Sequence, residues 1–124
     1  MVKILRELKK TGAKIIFATT TPVHDDKQHL DGPMPPAHSN SDIIKYNKAV
    51  LDAFKDENIV INDLFALINH EKDRYISEDM IHPNDDGVKL LGKAVADAIK
   101  SVGYFKNQEI KNDICFTQEE KTIQ

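Results

Sequence analysis

Asp79 and His82 stand three positions apart in the run Asp79-Met80-Ile81-His82-Pro83-Asn84-Asp85-Asp86-Gly87, which leads straight into an amphipathic segment. A carboxylate and an imidazole in a short loop before a helix are two thirds of a nucleophilic hydrolase triad. A tight turn lets the carboxylate accept from Nδ1–H three residues later, which leaves Nε2 outward as a base. Pro83 stiffens the exit, and the helix beyond anchors it. The plainer alternative is that Asp79 caps a turn and His82 is a surface histidine, since such spacings are frequent by chance. The third triad member is an activated serine. Ser39, Ser41, Ser77 and Ser101 lack a recognisable nucleophile context. Ser41 reads as a helix cap, and Ser101 sits at a helix end.

A second cluster is His24-Asp25-Asp26 with His29 and His38. Imidazoles and carboxylates in one loop are ligands for zinc or another divalent ion. Their spacing matches no ligand pattern, and a solvated loop is the simpler reading. No metal is assigned. Cys115 is the single cysteine, so no intrachain disulfide forms, and nothing near it in sequence activates a thiol.

The elements that position these residues follow from hydrophobic spacing. Residues 2–10 place Ile4, Leu5 and Leu8 on one face, which predicts a helix closed by Lys9-Lys10 and Gly12. No capping residue precedes it, which suggests a chain that starts in mid-helix. Residues 13–19 hold the continuous apolar run Ile15-Ile16-Phe17-Ala18, the pattern of a strand buried on both faces of a parallel sheet. Residues 23–40 form a long polar stretch with Pro33, Pro35 and Pro36 and are expected to be a functional rim. Ser41-Asp42 is expected to cap a helix running to about Asp56, with Ile43, Val50, Leu51 and Phe54 as its apolar stripe. Ile59-Val60-Ile61 predicts a second short strand. Asp63 is placed to cap a short helix over residues 64–69, and a polar loop over residues 70–83 follows. Asn84 then caps the last helix, with Asp85 and Asp86 at the positive end of its dipole. Val88, Leu91, Val95, Ile99 and Val102 recur at helical steps and predict a core-packing face.

Helix, strand, helix, strand, helix is the order of an α/β fold with a parallel sheet. Ligands in such sheets bind beyond the carboxyl ends of the strands, where both long loops lie. Two parallel strands leave both edges open and do not cover three apolar helix stripes. The expectation is the C-terminal part of a larger α/β domain, or a chain completed by a partner.

The run Asp79-Met80-Ile81-His82-Pro83-Asn84, then Gly87, Leu90-Leu91-Gly92 and Ala94, closely resembles the last conserved block of the SGNH hydrolases, the GDSL-like esterases and lipases. That block reads Asp-x-x-His-Pro-Asn and is fairly specific. Three weaker segments are similar to the same family in the right order. Residues 13–22 look like its late core strand and following loop, Tyr46-Asn47 like its next helix, and residues 59–64 like the strand entering the final loop. The resemblance covers roughly residues 1–102. It implies a three-layer α/β/α sandwich of flavodoxin-like type, with a parallel sheet of about five strands. Residues 1–103 would be the C-terminal portion of that domain without its N-terminal strands, and residues 104–124 a polar tail. The implied chemistry is acyl transfer from an ester, with His82 as base, Asp79 as its orienter and no cofactor.

The departure from the family is large. Its Gly-Asp-Ser nucleophile block, oxyanion glycine and Gly-x-Asn-Asp block belong upstream of the late strand, and this chain has none of them. Asn62-Asp63 follows the last strand and is not the missing asparagine block. Each oxyanion donor is worth about 10²–10³ in rate, and loss of the serine removes the covalent path. Negligible esterase activity is expected from these residues alone. A different class of function is a non-catalytic interaction protein that pairs or self-associates through an exposed sheet edge.

Composition bounds the remaining choices. The chain has 124 residues, 40% hydrophobic and 30% charged, with net charge −3, the profile of one small globular domain. No basic stripe marks a nucleic-acid partner. The apolar runs are far too short to span a bilayer, and no secretory signal opens the chain. The compartment stays open. The substrate implied for the parent enzyme is a small-molecule or carbohydrate ester, and no substrate-binding residue is assigned.

Overall fold

A computed structural model describes residues 1–25 and 39–103. Asp26, His29 and His38 of the suggested metal loop, Cys115 and the tail 104–124 lie outside the described residues.

The fold is mixed α/β. In chain order it comprises α1 (Val2–Lys9), β1 (Ile16–Ala18), α2 (Asn40–Phe54), β2 (Val60–Asn62), α3 (Leu64–Asn69), α4 (Lys72–Tyr75) and α5 (Asp85–Ser101). β1 and β2 pair in parallel, with Ile16 opposite Val60, Phe17 opposite Ile61 and Ala18 opposite Asn62. The segment carrying α2 is the crossover that a parallel pair demands.

Local chemistry explains the element boundaries. Asp63 caps α3 by accepting the Ala66 N–H, and Asn84 caps α5 by accepting the Gly87 N–H. α1 ends near Gly12, which takes φ +76°, a conformation open to glycine without a Cβ penalty. The cap of α2 is Ser39, not Ser41: the Ser39 side chain accepts the Asp42 N–H, and the helix begins at Asn40. Ser39 has extended backbone, φ −107° and ψ 148°, as an N-cap must. Ser41 lies inside the first turn and is exposed.

The core gathers Leu5, Ile43, Phe54, Ile68 and Ile76, with Val23 joining from the segment after β1. Phe17 meets Phe54 edge-on, centroids 5.3 Å apart at 87°, the favoured aromatic geometry. α1 is tied to the turn after α2 by Glu57, whose carboxylate takes Arg6 Nη2 at 3.2 Å and Lys9 Nζ at 3.1 Å. The Lys9 hydrogen bond, then the Arg6 contact, hold the Glu57 carboxyl below its usual range.

Three further expectations are corrected. The strands are not buried on both faces: Ile16 and Phe17 are half-buried, Ala18 is exposed, and Ile61 is 41% exposed. A two-stranded sheet has too little covering structure to bury them. The face Val88–Val102 is not uniformly core, because Val88 is 56% and Val95 40% exposed. Finally, the polar segment over 70–83 contains the short helix α4, which its lysine, aspartate and arginine content concealed.

Candidate active site

The site is built on the chain between α4 and α5. Ile76 and Pro83 form an antiparallel bridge. Around it, Ser77 N–H donates to the His82 carbonyl at 2.8 Å, and Asn84 N–H to the Tyr75 carbonyl at 2.9 Å. Met80 N–H closes the inner turn on the Ser77 carbonyl at 3.0 Å. Met80 itself takes φ +66°, a region that non-glycine residues enter at a cost of about 1–3 kcal/mol. Its carbonyl accepts the His24 N–H at 2.9 Å, so hydrogen bonds on both sides hold it there.

Behind the loop, Asn84 Nδ2 donates to the Arg74 carbonyl at 2.7 Å while its Oδ1 caps α5. One side chain thus joins α4, the loop and α5. Gly87 allows the close approach. A Cβ there would stand 2.4 Å from the Tyr75 carbonyl oxygen and 2.9 Å from Pro83 Cβ.

This frame sets Asp79 against His82. Asp79 Oδ2 is 2.5 Å from His82 Nδ1. Asp79 Oδ1 accepts three donors: Ser77 Oγ at 2.7 Å, Ile81 N–H at 2.9 Å and His82 N–H at 2.9 Å. The imidazole hydrogen bond, the two backbone N–H groups and the Ser77 hydroxyl hold the Asp79 carboxyl well below the usual carboxylate range. An ionised carboxylate only accepts. In the neutral ring the proton between the two groups therefore sits on His82 Nδ1, which leaves the lone pair on Nε2. The His82 side chain is 75% exposed.

His82 borders a cleft of about 590 Å³ lined by Thr20, Val23, Ile43, Tyr46, Ile81 and Pro83. Most of these groups are apolar, and Asp42 and Thr21 add polar edges. The near wall is fixed by Asn47, a buried residue of α2. Its Oδ1 accepts the Thr20 N–H and its Nδ2 donates to the Thr20 carbonyl, both at 2.9 Å. Thr19 adds a second tie between the post-strand segments: its Oγ1 donates to Asp63 Oδ1 and accepts the Phe65 N–H, each at 2.9 Å. The cleft thus opens beyond the end of β1, on the sheet edge where open parallel sheets place ligands.

Three of the four serines are engaged elsewhere. Ser39 caps α2, Ser77 donates to Asp79, and Ser101 Oγ donates to the Ala98 carbonyl at 2.6 Å. The suggested metal cluster is divided among its described members. His24 is buried, with Nε2 3.2 Å from Asp73 Oδ1, whereas Asp25 receives the Asn40 N–H at 2.7 Å. The start of the 23–40 stretch is therefore packed rather than solvated. Among the described residues, no three His, Cys, Asp or Glu side chains gather as a metal site. No described helix is long and apolar enough to cross a membrane.

Sequence reasoning named Ser77 only as a serine without nucleophile context and Tyr46-Asn47 only as part of a helix, and assigned neither these nor the threonines to the site. Ser77 carries a local signal, a hydroxyl two positions before a loop aspartate. Asn47 carries none, because its partner Thr20 is 27 residues away.

No protein-family profile matches the chain, and no curated protein does. Among solved structures, the chain is similar to the esterase domain of the ZfL2-1 ORF1 protein from the zebrafish ZfL2-1 retrotransposon. The TM-score is 0.58 at 18% identity, over 80% of this chain and 56% of that one. The chain therefore spans little more than half the length of that domain. The architecture described here is one that an esterase domain also has.

Proposed function

We propose that this chain carries the base and orienting carboxylate of a serine ester hydrolase of the SGNH type. His82 Nε2 takes the proton of a serine hydroxyl as it attacks an ester carbonyl, then returns it to the leaving alcohol. Asp79 fixes the Nδ1–H tautomer and stabilises the imidazolium. Water then cleaves the acyl-enzyme with His82 again as base. Residues 1–103 form the C-terminal portion of such a domain, and the serine and oxyanion donors come from outside the described residues. The observation that carries this reading is Asp79 Oδ2 on His82 Nδ1 at 2.5 Å, at the edge of a cleft beyond the strand ends. The esterase domain with the same architecture supports it.

The test is hydrolysis of p-nitrophenyl acetate by the chain alone and by the polypeptide of its complete reading frame, each with and without a serine-directed fluorophosphonate. The chain alone should show no inhibitor-sensitive turnover. Such turnover would mean that it holds its own nucleophile, and the assignment would fail. Inhibitor-sensitive hydrolysis by the complete polypeptide is the supporting result.

The sheet favours a second reading. Ile61 is 41% exposed, and β1 and β2 pair with no further strand among the described residues. A module that self-associates through this edge fits those facts. Gel filtration tests it: a concentration-independent monomer excludes it.

A further inference from the structure

Ser77 is half-buried beside the exposed Asp79 and His82 and takes part in the turn three times. Its N–H donates to the His82 carbonyl, its carbonyl accepts the Met80 N–H, and its Oγ donates to Asp79 Oδ1 at 2.7 Å. The first two bonds belong to the backbone and need no hydroxyl. The third depends on the hydroxyl.

The two oxygens of Asp79 have different partners. Oδ2 faces His82 Nδ1, and Oδ1 collects the Ser77 hydroxyl and the N–H groups of Ile81 and His82. Both backbone donors come from residues that follow Asp79. Ser77 is the donor that precedes it, so the carboxylate is gripped from both directions of the chain. The terminal carboxylate torsion of aspartate is broad and roughly two-fold. Each donor fixed on Oδ1 narrows the range over which Oδ2 meets the imidazole.

We propose that Ser77 is a positioning residue: its hydroxyl anchors the Asp79 carboxylate so that Oδ2 locks His82 in the Nδ1–H tautomer and Nε2 is presented to the cleft. This rests on the reading of His82 as a base, but its test needs no ester turnover. The bond also directs the Ser77 hydroxyl at a carboxylate rather than at the imidazole that would activate it. Ser77 therefore serves the triad without being its nucleophile.

The experiment is ¹⁵N NMR of the His82 ring in the complete chain at alkaline pH, where the imidazole is neutral. The wild-type ring should be mainly Nδ1–H. Ser77→Ala should lower the ratio of Nδ1–H to Nε2–H about threefold, the effect of one modest hydrogen bond. Ser77→Thr keeps the hydroxyl and should restore the ratio. Amide shifts of α5 verify that each variant is folded, and Ser77→Cys, a weak donor of similar size, gives an independent intermediate point. A wild-type ratio in folded Ser77→Ala, with Asp79→Asn clearly shifted, overturns the proposal. An unshifted Asp79→Asn instead removes Asp79 as orienter, and with it the base assignment. A Ser77 effect on the tautomer without His82-dependent esterase activity in the complete polypeptide would leave the positioning intact and overturn only the enzymatic reading.

Discussion

The loop from Tyr75 to Gly87 and the two-stranded sheet are built to opposite standards. In the loop, the Asp79 carboxylate has four donors, and Asn84 ties α4 to α5. In the sheet, Ile61 and Ala18 reach solvent, and Val88 and Val95 of α5 are exposed beyond it. The site geometry is written mostly in short-range bonds, with the His24 N–H on the Met80 carbonyl as a long-range tie. The sheet depends on long-range burial, and the described residues supply it only in part.

In the complete polypeptide, Asp79→Asn should lower ester hydrolysis by about 10³–10⁴, because the imidazole loses its tautomer-fixing partner. A loss below tenfold would show that the dense bonding around Asp79 serves the turn alone.

Packing under the loop comes next. Gly87→Ala places a methyl against the Tyr75 carbonyl and Pro83 and should cost about 2–3 kcal/mol. Urea unfolding measures it. Val88→Ala, one position on but exposed, should stay within about 0.5 kcal/mol. Equal costs at the two positions would erase the contrast between the packed loop and the exposed face of α5.

The cleft wall gives a smaller effect. Asn47→Ala removes two part-buried hydrogen bonds to the Thr20 backbone, at a cost of about 1–2 kcal/mol. In hydrogen exchange, the Thr20 amide should lose protection while Ser77 and Asn84 keep theirs.

The smallest effect is acid sensitivity. The Asp79 carboxyl is held below the unfolded value, the His82 hydrogen bond being the largest cause. A depressed value means that the ionised form favours the folded chain. That contribution is present above about pH 4, the ordinary aspartate range, and fades as pH falls further. Asp79→Asn should therefore flatten the acid limb of the stability profile. An unchanged limb would show that exposure cancels the contribution.

What the sequence revealed follows the same division. Asp63 and Asn84 are legible as caps because capping is decided within three residues. Ser41 misleads because Ser39 offers the same hydroxyl two positions earlier, and extended backbone at Ser39 selects it. The apolar run at Ile15–Ala18 announces a strand but not its coverage, since burial depends on neighbours that the run does not name. Asp79 and His82 are conspicuous by type and spacing, and the left-handed Met80 between them is not. Its conformation is held by His24, 56 positions earlier.

The base role proposed for His82 is open to direct test. The most direct measurement is kcat/KM for an activated ester with the complete polypeptide and its His82→Gln variant. The account predicts a loss of about 10³-fold or more, with the amide spectrum of the loop unchanged. Undiminished hydrolysis by folded His82→Gln would contradict it.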